Sequence, residues 1–579
     1  MKNSVLLFFL LCVGVSWSQA DLLITELDTI KLGEHVGGEI DSVDLKFTYH
    51  SSTFPGGGKG RIENTLPVNF FFQHSGAVYY RNQQDWKKMR FSALPHVGFG
   101  YVFGTQGTQY VTTNYQQAFG SKILLNVDYD ALRNNGYLRN SISNQHLIQM
   151  QLQRQADFYS FKLKAQYTRR DIQQSGGITS DSLIENFGLA FVPVAKTSAQ
   201  SNYRGTKIEL EHYFDFLVND SLRDFGLFIE NKLKILNHRY TETSDTLQSL
   251  YAQTNYDTLT TRDQDQLSEA INQAGLFFST SKLIAKAGFE TNYWRYANLG
   301  NAHDTLEVNL DGQINIHFTK FDLRNHSNLN LIGAQREWFS NSQVDFSIAK
   351  FDVVGKAAFS SLLPEQFQRY YFANNVNTAI GAPQMQYRSN ISINAAYQFN
   401  SRHSLGAEVA AINVKNNYFF DTASWRNDIQ PNLDYLQVGV NVKTGYKILC
   451  VNLRGMYQIG KYVPTTLVQT RVSIKGRLFK GRKLLGQLGV EGSYHSGYDV
   501  LAYLPLLDAY QFPSSGGTTI SPEAFNLHAF GAFEITQFRF FLRVENIGYI
   551  WNDQTSYQAI GYPIPAMNIR LGITWDFFN

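Results

Sequence analysis

The sequence carries little charge, almost no cysteine and no long apolar run beyond its first residues. Asp, Glu, Lys and Arg make up 17% of the 579 residues, which is low for a disordered chain. Two cysteines cannot build a disulfide scaffold. No run of about 18 or more apolar residues follows residue 20, so a helical membrane protein is excluded. The 51 Lys and Arg barely exceed the 48 Asp and Glu, so no basic excess indicates nucleic-acid binding.

Aromatic side chains, by contrast, are abundant. Phe, Trp and Tyr make up 14% of the chain, and the mean hydropathy is −0.26. The classes that remain are a large globular protein and a membrane β-barrel. Many aromatic residues with few charges favour the barrel.

The first twenty residues have the order of a secretory signal peptide. Lys2 precedes an apolar core, Val5–Val15, and the small residues of Ser16–Ala20 follow it. We therefore predict a signal peptide over 1–20, cleaved after Ser18 or Ala20. Segment 21–41 lacks strand alternation and is predicted to be a short periplasmic N-terminal lead, with the barrel occupying 42–579. Cys450, the cysteine left after cleavage, is interpreted as an apolar filler.

Polar and apolar residues alternate along many segments. From Asn568 to Phe577 every second residue is polar or small, and the residues between them are apolar. The same pattern recurs over 123–130, 148–153, 161–167, 308–318 and 538–545. Side chains alternate across a β-strand, so these segments predict strands with one polar and one apolar face. A strand of about ten residues can cross a bilayer when it is tilted.

The lengths of the connections separate a membrane barrel from a soluble sandwich. Nine strands are predicted from Tyr387 onward, over 387–399, 404–416, 435–446, 448–458, 468–479, 483–495, 524–535, 538–549 and 568–578. The connections alternate between short and long, as in an up-and-down outer-membrane barrel with short periplasmic turns and long outer loops. This pattern places the C-terminus in the periplasm. Extrapolation over the mature chain predicts an even number of strands, about 16–22.

Aromatic residues stand at strand ends beside the short turns. They are Phe399, Phe479, Phe538, Trp575 and Phe577. Outer-membrane barrels carry aromatic girdles at the two membrane interfaces, so we interpret this set as part of a girdle.

Several segments resemble a known family. The segments in question are Tyr115–Gly120 with Tyr129, Ser175–Ile178, Phe541–Ile547, Gly561–Pro565 and Arg570–Asn579. They resemble the Bacteroidota "putative porin" family, and the resemblance covers most of the mature chain. It implies an outer-membrane β-barrel assigned to passive transport. Many such barrels end on an aromatic residue, whereas Asn579 follows Phe578 here.

The longest polar insertion in the middle of the chain is Thr241–Gly275. Within it, Leu267, Ile271 and Ala274 recur at helical spacing, so a short helix is predicted over Gln264–Ala274. We favour a solvated outer loop for the insertion over a loop that folds into the lumen. A plug domain like that of a TonB-dependent transporter is disfavoured, because only about twenty residues precede the first candidate strand near Ser42.

Motifs for catalysis or cofactor binding fail on inspection. Gly455–Tyr462 nearly matches a phosphate-binding loop, but Tyr462 stands where Ser or Thr is required. The histidines are scattered, and neither a zinc motif nor a Gly-x-Ser-x-Gly motif occurs. We predict no enzyme, no catalytic residue, no cofactor and no metal site.

The predicted lumen-facing charges are the candidate functional residues. Strand parity from Tyr435 onward assigns them as Lys443, Arg454, Arg471, Lys475, Arg477, Glu491, Arg539, Arg543, Glu545, Arg570 and Asp576. Basic residues outnumber acidic ones in this set, which predicts a lumen mildly attractive to anions. In the alternative interpretation, these residues pair with one another and brace the wall.

These observations predict a porin-like channel for passive diffusion of small polar solutes, located in the outer membrane after cleavage of its signal peptide. The alternatives are a structural or secretion-associated barrel with a closed lumen, and a soluble extracellular all-β protein. The expected partners are outer-membrane lipid, the solutes and the barrel-assembly machinery, without nucleic acid. A homo-oligomer is left open.

Overall fold

The structure is a computed structural model, and the residues that it describes are 86, 89 and 91–578 apart from short gaps. The gaps within 91–578 are 121, 218–222, 244–250, 252–253, 334–335, 378–382, 422–425, 431, 480–482, 512, 514–519 and 551–555. The predicted signal peptide, the N-terminal lead and the candidate strand near Ser42 lie outside the described residues.

The described residues form thirty strands, numbered β1–β30 in chain order, and 22 of them build one antiparallel sheet. Each wall strand pairs with the next one along the chain, and β1 pairs with β30, so the sheet closes into a barrel. The wall strands are β1 (His96–Gly104), β2 (Thr108–Phe119), β3 (Ile123–Asn134), β4 (Ser143–Arg154), β5 (Tyr159–Gln173), β6 (Gln200–Asp215), β7 (Asp224–Thr243), β8 (Thr260–Ser279), β9 (Leu283–Asn298), β10 (Asn301–Phe318), β11 (Phe321–Ile332), β12 (Trp338–Ile348), β13 (Phe351–Leu362), β14 (Gln386–Asn400), β15 (His403–Lys415), β18 (Leu433–Tyr446), β19 (Leu449–Ile459), β20 (Thr466–Leu478), β21 (Leu484–His495), β26 (Ala524–Ile535), β27 (Phe538–Glu545) and β30 (Asn568–Phe578).

The other eight strands form four antiparallel pairs in the connections between wall strands. They are β16 (Asn417–Asp421) with β17 (Arg426–Gln430), β22 (Tyr498–Asp499) with β25 (Ile520–Ser521), β23 (Ala502–Leu504) with β24 (Ala509–Gln511), and β28 (Tyr557–Ala559) with β29 (Tyr562–Pro563). Short helices occupy Asp181–Leu183, Ile184–Phe187, Gln366–Tyr370 and Ile547–Ile550. None of the described helices is long and apolar enough to span a membrane.

The predicted fold class is confirmed, and the strand number lies at the top of the predicted range. Closure pairs every strand edge, which a barrel in hydrocarbon requires because unpaired backbone groups find no water there. From β14 onward the nine wall strands match the predicted segments to within a few residues. The exception is 538–549, where β27 ends at Glu545 and a 3₁₀ turn follows.

The two ends of the barrel differ in the length of their connections. At one end the turns are short, as at 120–122, 319–320, 349–350, 401–402, 447–448 and 536–537. We call the other end the outer end, and it carries the long connections 174–199, 363–385, 496–523 and 546–567. The strict alternation predicted for the second half of the chain is therefore present. In the first half it is broken by two short outer turns, 105–107 and 299–300.

Within the described residues, the wall closes where β1 meets β30, with His96 opposite Phe578. The predicted start of the barrel near Ser42 lies outside the described residues and stays a prediction, whereas the loop predicted over 241–275 was wrong. Most of the predicted loop over 241–275 is also wall, because β7 extends to Thr243 and β8 begins at Thr260. The segment Gln264–Ala274 is accordingly strand, not helix.

The two faces of the wall have opposite character. Ile391 and Ile393 on β14 are 45% and 54% exposed on the outward face, whereas Asn390, Ser392 and Asn394 alternate with them and point into the lumen. At the short-turn end Phe399, Phe479, Trp575 and Phe577 are exposed. Phe538 packs edge-on against Trp575, with ring centroids 5.8 Å apart. This arrangement is the one that an aromatic girdle requires.

Candidate functional site

The lumen of the barrel is the candidate functional site, and its wall is polar. On β2 and β3 the amide of Asn114 donates to Asn126 at 2.8 Å and to Asp128 at 2.7 Å. On β4 the inward side chains of Gln149, Gln151 and Gln153 are buried. Inward residues of a barrel have no contact with lipid, so strand parity alone puts these groups in the lumen.

A first group of charges lies on the inner faces of β5–β9. Lys164 is 3.1 Å from Glu209 and 2.5 Å from Glu211, and Lys207 is 2.5 Å from Glu209. Similar pairs join Lys232 to Glu230 and Lys234 to Glu269. Both signs are therefore interleaved, and these charges pair with one another both along a strand and between adjacent strands.

Trp86, which precedes the first wall strand, reaches this group of charges. Its indole Nε1 donates to Glu209 at 3.1 Å, and the Nζ atoms of Lys164 and Lys207 lie 5.9 and 5.4 Å from the ring centroid. Cations over an indole face are attracted by its quadrupole. The Trp86 side chain therefore lies inside the barrel.

Five of the eleven predicted lumen charges form one connected ladder. Arg471 on β20 lies 3.2 Å from Glu491 on β21, and Arg543 on β27 reaches across β26 to the same carboxylate at 2.5 Å. Glu545 then lies 3.6 Å from Arg543 and 3.0 Å from Arg570 on β30. Arg543, Glu545 and Arg570 are almost inaccessible to solvent, and each charge of the ladder has an opposite charge beside it within the wall.

The remaining predicted charges are distributed along the same wall. Arg454 pairs with Glu408 at 2.8 Å, Arg539 with Glu534 at 2.5 Å, and Asp576 with His96 at 3.1 Å. Lys475 and Arg477 lie on β20, and Lys443 lines a recess of about 400 Å³ together with Arg454, Arg471 and Glu491.

Glu408 and Glu534 were missed as lumen charges. Both lie on strands with the same alternating parity, so continued counting along β15 and β26 would have found them. Their ion pairs offset two of the predicted basic residues. Most of the eleven predicted lumen charges are therefore paired within the wall, as the alternative interpretation of the sequence expects.

The outer mouth of the barrel is covered by an apolar segment that we call the loop cap, Leu501–Tyr510. Its hairpin, β23–β24, puts Leu506 and Leu507 in one buried cluster with Tyr203 on β6 and Trp294 on β9. On the other side, Leu501 packs with Val414 on β15 and Tyr435 on β18. Because β6 and β18 lie on nearly opposite sides of the 22-stranded wall, the loop cap spans the mouth.

Other connections pack around the loop cap. Tyr503 shares a buried cluster with Tyr137, Ile178, Val192 and Tyr562, which come from three further outer connections. Phe367 and Tyr371 from connection 363–385 join the cluster of Leu506. Burial of apolar surface stabilises by about 25 cal/mol for each Å² removed from water, and this free energy holds the connections together.

A buried polar group fixes the loop cap to the wall. The Asp508 carboxylate is inaccessible to solvent, and it accepts a hydrogen bond from Tyr503. Burial raises the pKa of Asp508 above its ordinary value, whereas the charge of Arg170 on β5 and hydrogen bonds from Tyr203 and Tyr503 act in the opposite direction. The guanidinium of Arg170 lies 5.4 Å from the ring centroid of Tyr203, which is on β6.

A family described as "Putative porin" matches residues 60–579 of this chain. No curated protein matches it. Among solved structures, the copper transporter OprC is similar with a TM-score of 0.63 at 9% identity, over 85% of this chain and 82% of that chain. The siderophore receptor PirA from Acinetobacter baumannii is similar with a TM-score of 0.59 at 9% identity, over 85% and 81%. The FrpB iron transporter from Neisseria meningitidis is similar with a TM-score of 0.59 at 8% identity, over 86% and 84%. At these identities the likeness concerns the fold.

Proposed function

Because the chain belongs to the putative porin family, we propose that this outer-membrane barrel is a diffusion channel for small polar solutes and that its own outer connections close it in the state described here. The observation that carries the proposal is the polar inner wall with open space beside it. Recesses of about 470, 400 and 240 Å³ lie against the inner faces of wall strands from β7 to β26. Polar side chains beside open space suit hydrated solutes.

The loop cap makes the proposed channel a gated one. Leu506 and Asp508 are inaccessible to solvent, so solutes cannot pass between the loop cap and β6–β9 while these contacts persist. Conduction therefore requires a second state in which the loop cap leaves the mouth. The balance between the two states is set by the difference in free energy between them.

The similar barrels that are named as transporters support a transport role for the wall. Their printed cargoes, copper and iron, do not carry over to this chain at 8–9% identity. Within the described residues, no group of three or more His, Cys, Asp or Glu side chains is arranged to hold a metal ion. Small polar solutes therefore remain the cargo that the wall chemistry supports best.

A structural or secretion-associated barrel with a permanently closed lumen is the second candidate. The extent of the buried clusters around the loop cap favours it, because each cluster adds to the cost of opening. The two candidates differ in what happens when the loop cap is removed.

Liposome swelling with sugars of graded size tests the proposal. We expect little swelling with the full chain, and size-dependent swelling when residues 501–510 are replaced by a flexible Gly/Ser linker. A control replaces the exposed residues 185–188 of another outer connection with the same type of linker, and it should behave as the full chain. If the variant without the loop cap folds as a heat-modifiable barrel and admits no solute, the closed-barrel candidate is favoured instead.

A further inference from the structure

The inner faces of β10 and β14 carry amide and hydroxyl side chains without a partner in the protein. Among the described residues, the side chains of Asn315, Asn390, Ser392 and Asn394 form no hydrogen bond, although all four are at least partly accessible. On β2 and β3, by contrast, the amides bond one another. The difference leaves donors and acceptors on β10–β14 available to a molecule in the lumen.

Strand register joins these side chains into one band. Asn315 on β10 stands opposite Arg324 on β11, and Lys356 on β13 stands opposite Ser392 on β14. The band lines the recess of about 470 Å³, within the range of about 300–1,000 Å³ that is typical of sites for small molecules.

The charges in this band are mostly compensated. Arg324 pairs with Asp345 at 2.9 Å. Glu408 pairs with Arg454 at 2.8 Å. Of the charged Arg, Lys and Glu side chains that line the recess, only Lys356 has no ion pair with a described residue. An anion that entered the recess would therefore find only Lys356 as a counter-charge, and a cation would find none, which is little to replace the hydration of either ion.

We propose that this band binds neutral polyhydroxylated solutes, that is, sugars, as they pass through the lumen. A side-chain amide both donates and accepts hydrogen bonds, as a sugar hydroxyl does, so adjacent amides can bond adjacent hydroxyls. Bonding of this kind offers specificity for hydroxyls without a requirement for charge. The inference rests on the proposed function only in assuming that solutes enter the lumen.

Equilibrium binding to the full chain in detergent micelles tests the inference without requiring conduction. Saturation-transfer NMR is recorded with maltose and with maltobionate, which has a similar size and one carboxylate. We expect transfer to maltose, and weaker transfer to maltobionate. The triple variant Asn390→Val, Ser392→Val and Asn394→Val should weaken maltose binding by about tenfold or more. Val is favoured in strands, so the wall should persist.

Asn441→Val on β18 is the matched control, because Asn441 lines the neighbouring recess and lies outside the band. It should bind maltose as the unmodified chain does. If the triple variant does not fold, Asn394→Val alone should still weaken binding. Any of three results would overturn the inference: no transfer to maltose, equal transfer to maltose and maltobionate, or unchanged maltose binding by the band variants. A failure of conduction with binding intact would instead overturn only the proposed function.

Discussion

The Tyr503 hydroxyl lies 3.2 Å from the side-chain oxygen of Gln174, although the two residues are separated by 329 positions in the chain. Tyr503 belongs to the loop cap, and Gln174 directly follows wall strand β5. Both side chains are buried. The contact shows how the loop cap is held: a polar group of its hairpin meets a polar group at the outer rim of the wall, inside an apolar cluster.

Asp508→Asn should release the loop cap. The substitution removes a carboxylate that accepts a hydrogen bond from Tyr503 and whose charge interacts with Arg170, and a hydrogen bond to a charged group contributes about 1.5–3 kcal/mol. With Leu506→Cys as a reporter in a Cys450→Ser background, labelling by a membrane-impermeant maleimide should become at least about tenfold faster. Asp499→Asn, a substitution just before the loop cap, is the control and should leave the rate unchanged. Equal rates in all three proteins would show that Asp508 does not hold the loop cap.

Glu491→Gln should destabilise the barrel more than any exposed charge substitution. Glu491 forms ion pairs with both Arg471 and Arg543, and Arg543 is inaccessible to solvent. The expected loss is about 3–5 kcal/mol in the free energy of unfolding, measured by denaturant in lipid vesicles. Lys122→Gln removes an exposed pair with Asp157 and should change stability by less than about 1 kcal/mol. Similar small losses for both variants would refute the idea that the ladder braces the wall.

Trp86→Ala should lower the free energy of unfolding by about 1–2 kcal/mol, because it removes one hydrogen bond and two cation–aromatic contacts. Trp86→Phe keeps a ring between Lys164 and Lys207 but not the N–H donor. Its free energy of unfolding should therefore lie between those of Trp86→Ala and the unmodified chain. The measurement is again denaturant unfolding in lipid. A Trp86→Ala protein as stable as the unmodified chain would contradict the lumen position of Trp86.

A weak preference for anions remains a prediction of the lumen charges. Lys443 forms no ion pair with a described residue, so Lys443→Gln should reduce the preference slightly. The measurement is the reversal potential across a planar bilayer under a salt gradient, in a protein without the loop cap. A reversal potential that favours cations before any substitution would contradict the prediction.

The wall strands could be predicted because each one is encoded by a pattern in its own few neighbouring residues. Residues from Asn568 to Phe577 alternate with period two, and a short turn fixes the neighbouring strand, so bounds could be placed within a few residues. The helix prediction over Gln264–Ala274 failed for a related reason. Leu267 and Ile271 are four residues apart, and a separation of four fits one face of a helix and one face of a strand equally well.

The loop cap and the ion-pair ladder could be predicted only in part. Strand parity assigned Glu491 and Arg543 to the lumen. That their side chains meet across β26 depends on the three-dimensional arrangement of the strands, which parity does not give. The burial of Leu506 against Tyr203 depends on the folding of a long connection, and no periodic pattern in that connection encodes its partner. Long-range apolar contacts of this kind are not visible in a local pattern.

Single-channel recording in a planar bilayer tests the central claim most directly, with the full chain and with the variant that lacks residues 501–510. The polar lumen and the spanning loop cap predict rare openings for the full chain and steady conducting steps for the variant. If the variant inserts as a folded barrel and produces no conducting steps, the lumen is not a channel that the loop cap closes.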